Sequence, residues 1–269
     1  MSLAELFQTA AVALVGLALI MSAGWLIQRL TGNSGWVDAV WTFGVGAMGV
    51  VVAFPPVGDG DTFWRRAVVA ALVAAWSLRL GLHILRRTLK AGDDPRYRKM
   101  IEDWGQAAAP ARLFAFLQAQ AAVGAVLAVA IALAAHAGGA SLRLQDVAGM
   151  ALMAAAIVGE AQADSGLARF KADPANRGAI CDVGLWRLSR HPNYVCEFMG
   201  WVAVAVIALD RSAPLSFLAL LAPAIMYWTL RYASGVPPLE QHMRRTRSER
   251  FAAYAARTPV FFPRPGPLR

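Results

Sequence analysis

Several things are scarce in this chain, and each scarcity closes a class of function. There are two cysteines, Cys181 and Cys196, too few for a disulfide framework or a cysteine metal cluster. Cys196 sits where polar sequence turns apolar and reads as a small packing residue. Charged residues make up only 16% of the chain, where a soluble domain of this size carries roughly a quarter. No GxGxxG or GxxxxGK[ST] stretch is present, which removes the soluble nucleotide-binding loops. No HExxH or Cys/His cluster offers zinc ligands, so no metal is expected. Ser165 and His83 lack the GxSxG context a serine hydrolase would supply. There is no Ser/Gly-rich linker, low-complexity tract or repeat, and the 269 residues read as one bundle.

What is abundant is apolar sequence. Hydrophobic residues are 58% of the chain and mean hydropathy is +0.47. They fall in long runs, which predicts an all-α, polytopic membrane protein. The spans are expected at about 3–30, 36–54, 64–85, 113–136, 147–170, 195–209 and 214–232, seven in all. Pro55-Pro56 and the VGDGD stretch end the second, and DPANRG ends the fifth. The first run is too long for a signal peptide and lacks a basic leader, so it reads as a retained helix.

The net charge of +9 is not that of a nucleic-acid binder, because the basic residues crowd the ends of apolar runs and no recognition motif accompanies them. The segments 86–112, 169–190 and 231–269, with Arg29, hold 21 Lys/Arg. The opposite face holds Arg65, Arg66, Arg143 and Arg211, and Arg79 falls within a span. Positive charge marks the cytoplasmic side, so the N-terminus is expected outside and the C-terminus inside. The Ala- and Arg-rich composition is compatible with a bacterial inner membrane.

Polar residues within apolar runs mark the candidate site, since each is costly in hydrocarbon unless satisfied. The densest cluster is in GLWRLSRHPNYVCEFMGW, residues 184–201, which carries Arg190, His191, Asn193, Tyr194 and Glu197. Glu160, Asp164 and Lys171 are spaced to share one helix stripe. Such a stripe suits a ligand with a polar head and a phosphate arm, or pairs with arginines of neighbouring helices. Asp38 lies between Trp36 and Trp41, as a functional acid or an interfacial cap. His83 shares a face with Arg79, as a functional group or a hydrogen-bonded packing residue.

Residues 184–201 resemble the C-terminal domain of the steroid 5-alpha-reductase family, and RHPNY with an acid three residues on is similar to the sterol C14- and C7-reductases. NSGWVDAVW, WSLRLGLHILRRT, DDPRYRKM, EAQADSGLARFK, GVPPLEQHM and FAAYAARTPVFFP extend the resemblance from Asn33 to Pro263. It implies a membrane reductase that uses NADPH on the carbon–carbon double bond of an enone, typically a 3-oxo-4-ene steroid, with its cofactor pocket open to the cytoplasm. Cofactor-binding positions are then Arg96, Tyr97, Glu160, Asp164, Lys171, Arg190, His191, Asn193, Tyr194, Glu197 and Glu240. Asp38 falls where the family places the acid that meets the substrate carbonyl, with His83 beside it and Trp36 and Trp41 along the substrate. Residues 1–112 would chiefly form the substrate pocket and 113–269 the cofactor pocket.

Two departures bear on the substrate. Steroid-reducing members pair their acid with a tyrosine on the third helix, and Ile84 stands here, with His83 next to it. Glu160 replaces the Asn that heads the family's NxxxD pair. A rival resemblance is to the isoprenylcysteine and phospholipid methyltransferases, which use S-adenosylmethionine. Those carry Gly two residues after the Tyr and a Glu-Glu pair in the tail, where this chain has Cys196 and Leu239-Glu240. A lipid-binding protein without catalysis is a third reading.

Overall fold

The structure, a computed structural model, describes residues 1–55, 63–91, 93–139 and 141–263. Among these there is no β-strand. The helices are α1 (Leu3–Thr31), α2 (Gly35–Ala53), α3 (Phe63–Ala91), α4 (Pro95–Trp104), α5 (Ala109–Ala135), α6 (Leu144–Ala172), α7 (Leu185–Leu188), α8 (Pro192–Ala208), α9 (Leu221–Trp228), α10 (Val236–Thr246) and α11 (Ser248–Arg257). Among the described residues, six helical stretches are long and apolar enough to cross a membrane: α1, α2, α3, α5, α6 and the run Pro214–Thr246. The chain is thus an all-helical integral membrane protein. The seventh expected span, α8, is apolar but only 17 residues long. Pro56 and the VGDGD stretch lie outside the described residues.

The ends of the helices follow local chemistry. Ser2 and Glu5 form a reciprocal capping box at the start of α1, and Gly32 closes it in the left-handed conformation at φ 67°. The segment expected as a loop after the third span is partly helical: α3 runs on to Ala91, and Asp94 caps α4 by accepting from the Arg96 amide, with Pro95 at the first position.

The chain forms two compact units. Unit 1 comprises 1–150 and 204–222. In it α1 packs on α2 and α5, and α2 packs on α3 and α5. α1 turns Ala13, Leu17, Met21 and Gly24 inward while Phe7, Val15, Leu19 and Leu30 stay exposed, the arrangement of a helix that faces lipid. α2 and α3 approach closely: a Cβ on Gly46 would lie 2.1 Å from Ser77 Oγ. Two hydroxyls tie the pair, Ser77 donating to the Thr42 carbonyl at 3.1 Å and Thr88 to the Gly35 carbonyl at 3.0 Å. At the opposite end from α4, Asp146 is 0% exposed and takes Arg65 at 2.6 Å and Arg143 at 2.7 Å. Arg143 and Gln145 also donate to the carbonyls of Ile207 and Leu209, at 2.6 Å each, capping the end of α8.

Unit 2 comprises 151–203 and 223–269. α6 and α8 meet where a Cβ on Gly159 would lie 2.9 Å from Cys196 Sγ, and Gly200 faces Met153. Phe198 packs edge-on against Tyr227, Phe261 and Phe262 at 5.5, 6.2 and 5.7 Å, which draws the chain after α11 back onto the helices.

Candidate functional site

In unit 2, the expected cofactor residues arrive from three helices and the connection between two of them. α6 carries Glu160 and Asp164, four residues apart, both buried. α8 carries Asn193 and Glu197 at the same spacing, and Asn193 donates to Asp164 Oδ1 at 3.3 Å. Glu197, also buried, accepts from Trp201 Nε1 at 2.9 Å. Trp186 Nε1 bonds the Ala163 carbonyl at 2.9 Å, holding the connection against α6. Lys171 is exposed at the end of α6. The result is a set of carboxylates and an amide embedded between otherwise apolar helices.

A second group in unit 2 centres on Glu240 of α10. Its Oε1 accepts from Arg190 Nε at 2.8 Å and faces His191 Nε2 at 3.3 Å. The His191 ring stacks on Tyr194 with centroids 5.4 Å apart. Arg190 Nη1 donates to the carbonyls of Ala255 and Thr258 at 3.1 and 3.2 Å, and its amide to Pro259 at 2.9 Å. Tyr254 Oη donates to the Trp186 carbonyl at 2.5 Å. Arg190 thereby caps the end of α11 and binds the RHPNY segment to the tail.

In unit 1, Asp38 is paired. Arg96 and Tyr97 of α4 both donate to it, the phenol at 2.7 Å, and Arg87 of α3 approaches at 3.9 Å. Arg96 also binds Asp94 at 2.9 Å. Burial raises the Asp94 carboxyl, but the hydrogen bonds and charge of Arg96 outweigh this and hold it below the usual carboxylate range. Burial and the Asp38 charge push the Tyr97 phenol well up, so it keeps its proton. Gln120 Nε2 of α5 donates to the same phenol oxygen at 3.2 Å, and Trp41 Nε1 bonds the Gln120 carbonyl of the main chain at 3.1 Å. His83 lies on α3 one turn before Arg87, and Trp36 on the first turn of α2.

The structure thus brings together Asp164 with Asn193, and Arg190 with His191, Tyr194 and Glu240. It joins Arg96 and Tyr97 to Asp38 within unit 1. Asp94, Arg87 and Gln120 were not singled out from sequence. Asp94 had a signal in its Asp-Pro pair, which marks a helix start, whereas nothing local marks Gln120, whose partners lie 23 and 79 residues away. Among the described residues no group of three or more His, Cys, Asp or Glu could hold a metal ion.

Residues 24–258 match the family model described as "Protein of unknown function (DUF1295)". The chain is also similar to the nickel-cobalt-cadmium resistance protein NccN of Alcaligenes xylosoxydans xylosoxydans, 36% identical over 85 residues. That match covers 32% of this chain and 36% of the relative. No solved structure matches.

Proposed function

We propose a function for a chain that belongs to the DUF1295 family: reduction of the carbon–carbon double bond of an enone lipid, in the first instance the 4,5 double bond of a 3-oxo-4-ene steroid, with NADPH as the reductant. The observation that carries the reading is the array of unit 2, the buried Glu160 and Asp164 on α6 with the half-buried Asn193 and the buried Glu197 on α8. Ionisable side chains gathered between apolar helices mark a functional site by default. Their chemistry fits NADPH: acceptors for ribose hydroxyls, and an amide and a carboxylate for the carboxamide of the nicotinamide. Lys171 offers a cation to phosphate at the end of α6. Arg190 acts at one remove, by fixing His191 and the tail through Glu240.

NADPH, when bound, supplies hydride for the β-carbon of the enone. The negative charge that develops on the substrate oxygen calls for a donor in a dry setting, worth a few kcal/mol. We assign that donor to Asp38 with His83, as the resemblance implies, and the Tyr97 phenol on Asp38 adds a proton-bearing group to it. Trp36 and Trp41 offer apolar walls. With seven spans, α8 included, the distribution of basic residues supports an N-terminus outside and a C-terminus and cofactor site in the cytoplasm, and the Ala- and Arg-rich composition is compatible with a bacterial inner membrane.

The test is thermal unfolding of the detergent-purified protein with NADPH, NADH and S-adenosylmethionine in parallel. A ligand at a hundred times its dissociation constant adds about 2.7 kcal/mol to the folded state. NADPH should raise the unfolding temperature, and enone-dependent NADPH oxidation should follow with progesterone or testosterone. Stabilisation by S-adenosylmethionine alone would overturn the reading and move the chain to the methyltransferases.

A further inference from the structure

Where α9 ends, unit 2 carries the marks of a membrane boundary. Trp228 and Tyr232 follow its apolar residues and are 61% and 57% exposed. Arg231 places its guanidinium over the Tyr232 ring, 4.9 Å from the centroid. Exposed Trp and Tyr beside a cation at the end of an apolar run belong at the headgroup level of a bilayer. The chain then bends instead of running on into solvent. Gly235 comes so close to the π turn Thr229–Ala233 that a Cβ on it would lie 2.4 Å from the Leu230 carbonyl oxygen. α10 packs on that same turn, so it starts at the boundary.

α10 and α11 are both amphipathic. α10 turns Val236 and Glu240 inward, and α11 turns Phe251 and Tyr254 inward. Arg244, Arg245, Arg250 and Arg257 stand outward, and the connection after α6 adds Arg177. Arg250 donates to the Gly178 carbonyl at 2.7 Å and Arg257 pairs with Asp182, so α11 and this connection form one surface. Carboxylates do not balance it. Arg244 approaches Glu240 at 3.6 Å, but Glu240 is buried and already binds Arg190. Arg177, Arg245 and Arg250 have no carboxylate partner among the described residues. Leu239 on α10 and Phe262 after α11 are exposed as well. Basic and apolar side chains exposed on short helices beside an aromatic boundary suit the surface of an anionic membrane. An acidic soluble partner would account for the arginines but not for Leu239, Phe262 and the boundary next to them.

We propose that the arginine face of α10, α11 and the connection 173–182 binds the phosphate headgroups of anionic phospholipids, in the leaflet that Trp228 and Tyr232 mark. Guanidinium groups meet phosphate oxygens through charge-assisted hydrogen bonds. α10 also holds Glu240, so the lipid lies on the helix that anchors Arg190. The surface belongs to unit 2 and does not rest on the reductase reading.

The test titrates the full chain in detergent with phosphatidylglycerol and with phosphatidylcholine of the same acyl chains, and counts bound lipid by native mass spectrometry. Phosphatidylglycerol should bind about tenfold more tightly. Arg177→Gln with Arg245→Gln should bring the two lipids to within about threefold of each other. Arg98→Gln with Arg112→Gln removes the same charge from exposed positions of unit 1 and should leave the preference as it was. Equal affinity for the two lipids in the unsubstituted protein overturns the proposal and needs no variant to fold. An equal loss of preference in both double variants overturns it too, because net charge and not this surface would then set the binding. Glycerol 3-phosphate or a polyglutamate peptide bound as tightly as the lipid would make this a site for a soluble anion or an acidic protein, and would overturn the membrane assignment.

Discussion

Arg190 directs its Nε to Glu240 and its Nη1 to the carbonyls of Ala255 and Thr258, with Arg190, Glu240 and Thr258 buried. Removing one partner of a buried ion pair leaves a charge in low dielectric, which costs about 3–5 kcal/mol. Glu240→Gln should therefore lower the unfolding temperature of the ligand-free protein. Arg190→Lys should do the same, because an ammonium cannot reproduce the planar fork that meets a carboxylate and two carbonyls at once. Differential scanning fluorimetry in detergent reads both. Asp94 makes a different prediction. Its carboxyl is held below the usual range, so it contributes stability above its unfolded pKa and loses it as pH falls through the lower folded value. Stability measured against pH should fall below about pH 4, and Asp94→Asn should flatten that part of the curve. Sequence singled out Arg190 and Asp38 by type and position, and Glu240 through the family resemblance. It could not assign their partners, which are set by packing between residues 50 or more apart.

At the scale of elements, helix contact is decided by small residues. A methyl on Gly46 meets Ser77 at 2.1 Å, and Ser77 cannot swing away without giving up its bond to Thr42. Gly46→Ala should cost about 1–3 kcal/mol through overpacking, and Ser77→Gly should recover part of it in a double-mutant cycle. Gly166, also helical, has nothing within 4 Å of its would-be Cβ. Gly166→Ala should leave stability unchanged or raise it by about 0.5–1 kcal/mol through helix propensity. Thermal unfolding of the three variants checks the contrast. The apolar runs were legible in the sequence as helices, and the cores of the first five agree with α1, α2, α3, α5 and α6. Their ends were less so: α3 passes six residues beyond the expected Leu85, and α4 arises in a stretch too polar for a span. Amphipathic surface helices such as α4, α10 and α11 carry no long apolar run, so hydropathy does not reveal them.

For the molecule as a whole, the proposed chemistry separates into two measurements. Asp38→Asn, in unit 1, should abolish enone-dependent NADPH oxidation while NADPH still raises the unfolding temperature. Glu197→Gln, in unit 2, should remove that stabilisation. Kinetics and fluorimetry on the same preparations decide it, and loss of NADPH stabilisation in Asp38→Asn would break the division. The bond between Arg190 and Glu240 also has a history in time. The two residues are 50 positions apart, and the carbonyls of Ala255 and Thr258 come later still. At roughly 5–20 residues per second of synthesis, the arginine waits about 3–10 s for its carboxylate. Throughout that interval the nascent chain carries an uncompensated cation beside a helix already in the bilayer. A stretch translated later therefore sets a motif translated well before it, and a message cut short upstream of α10 yields a protein whose RHPNY segment is never locked.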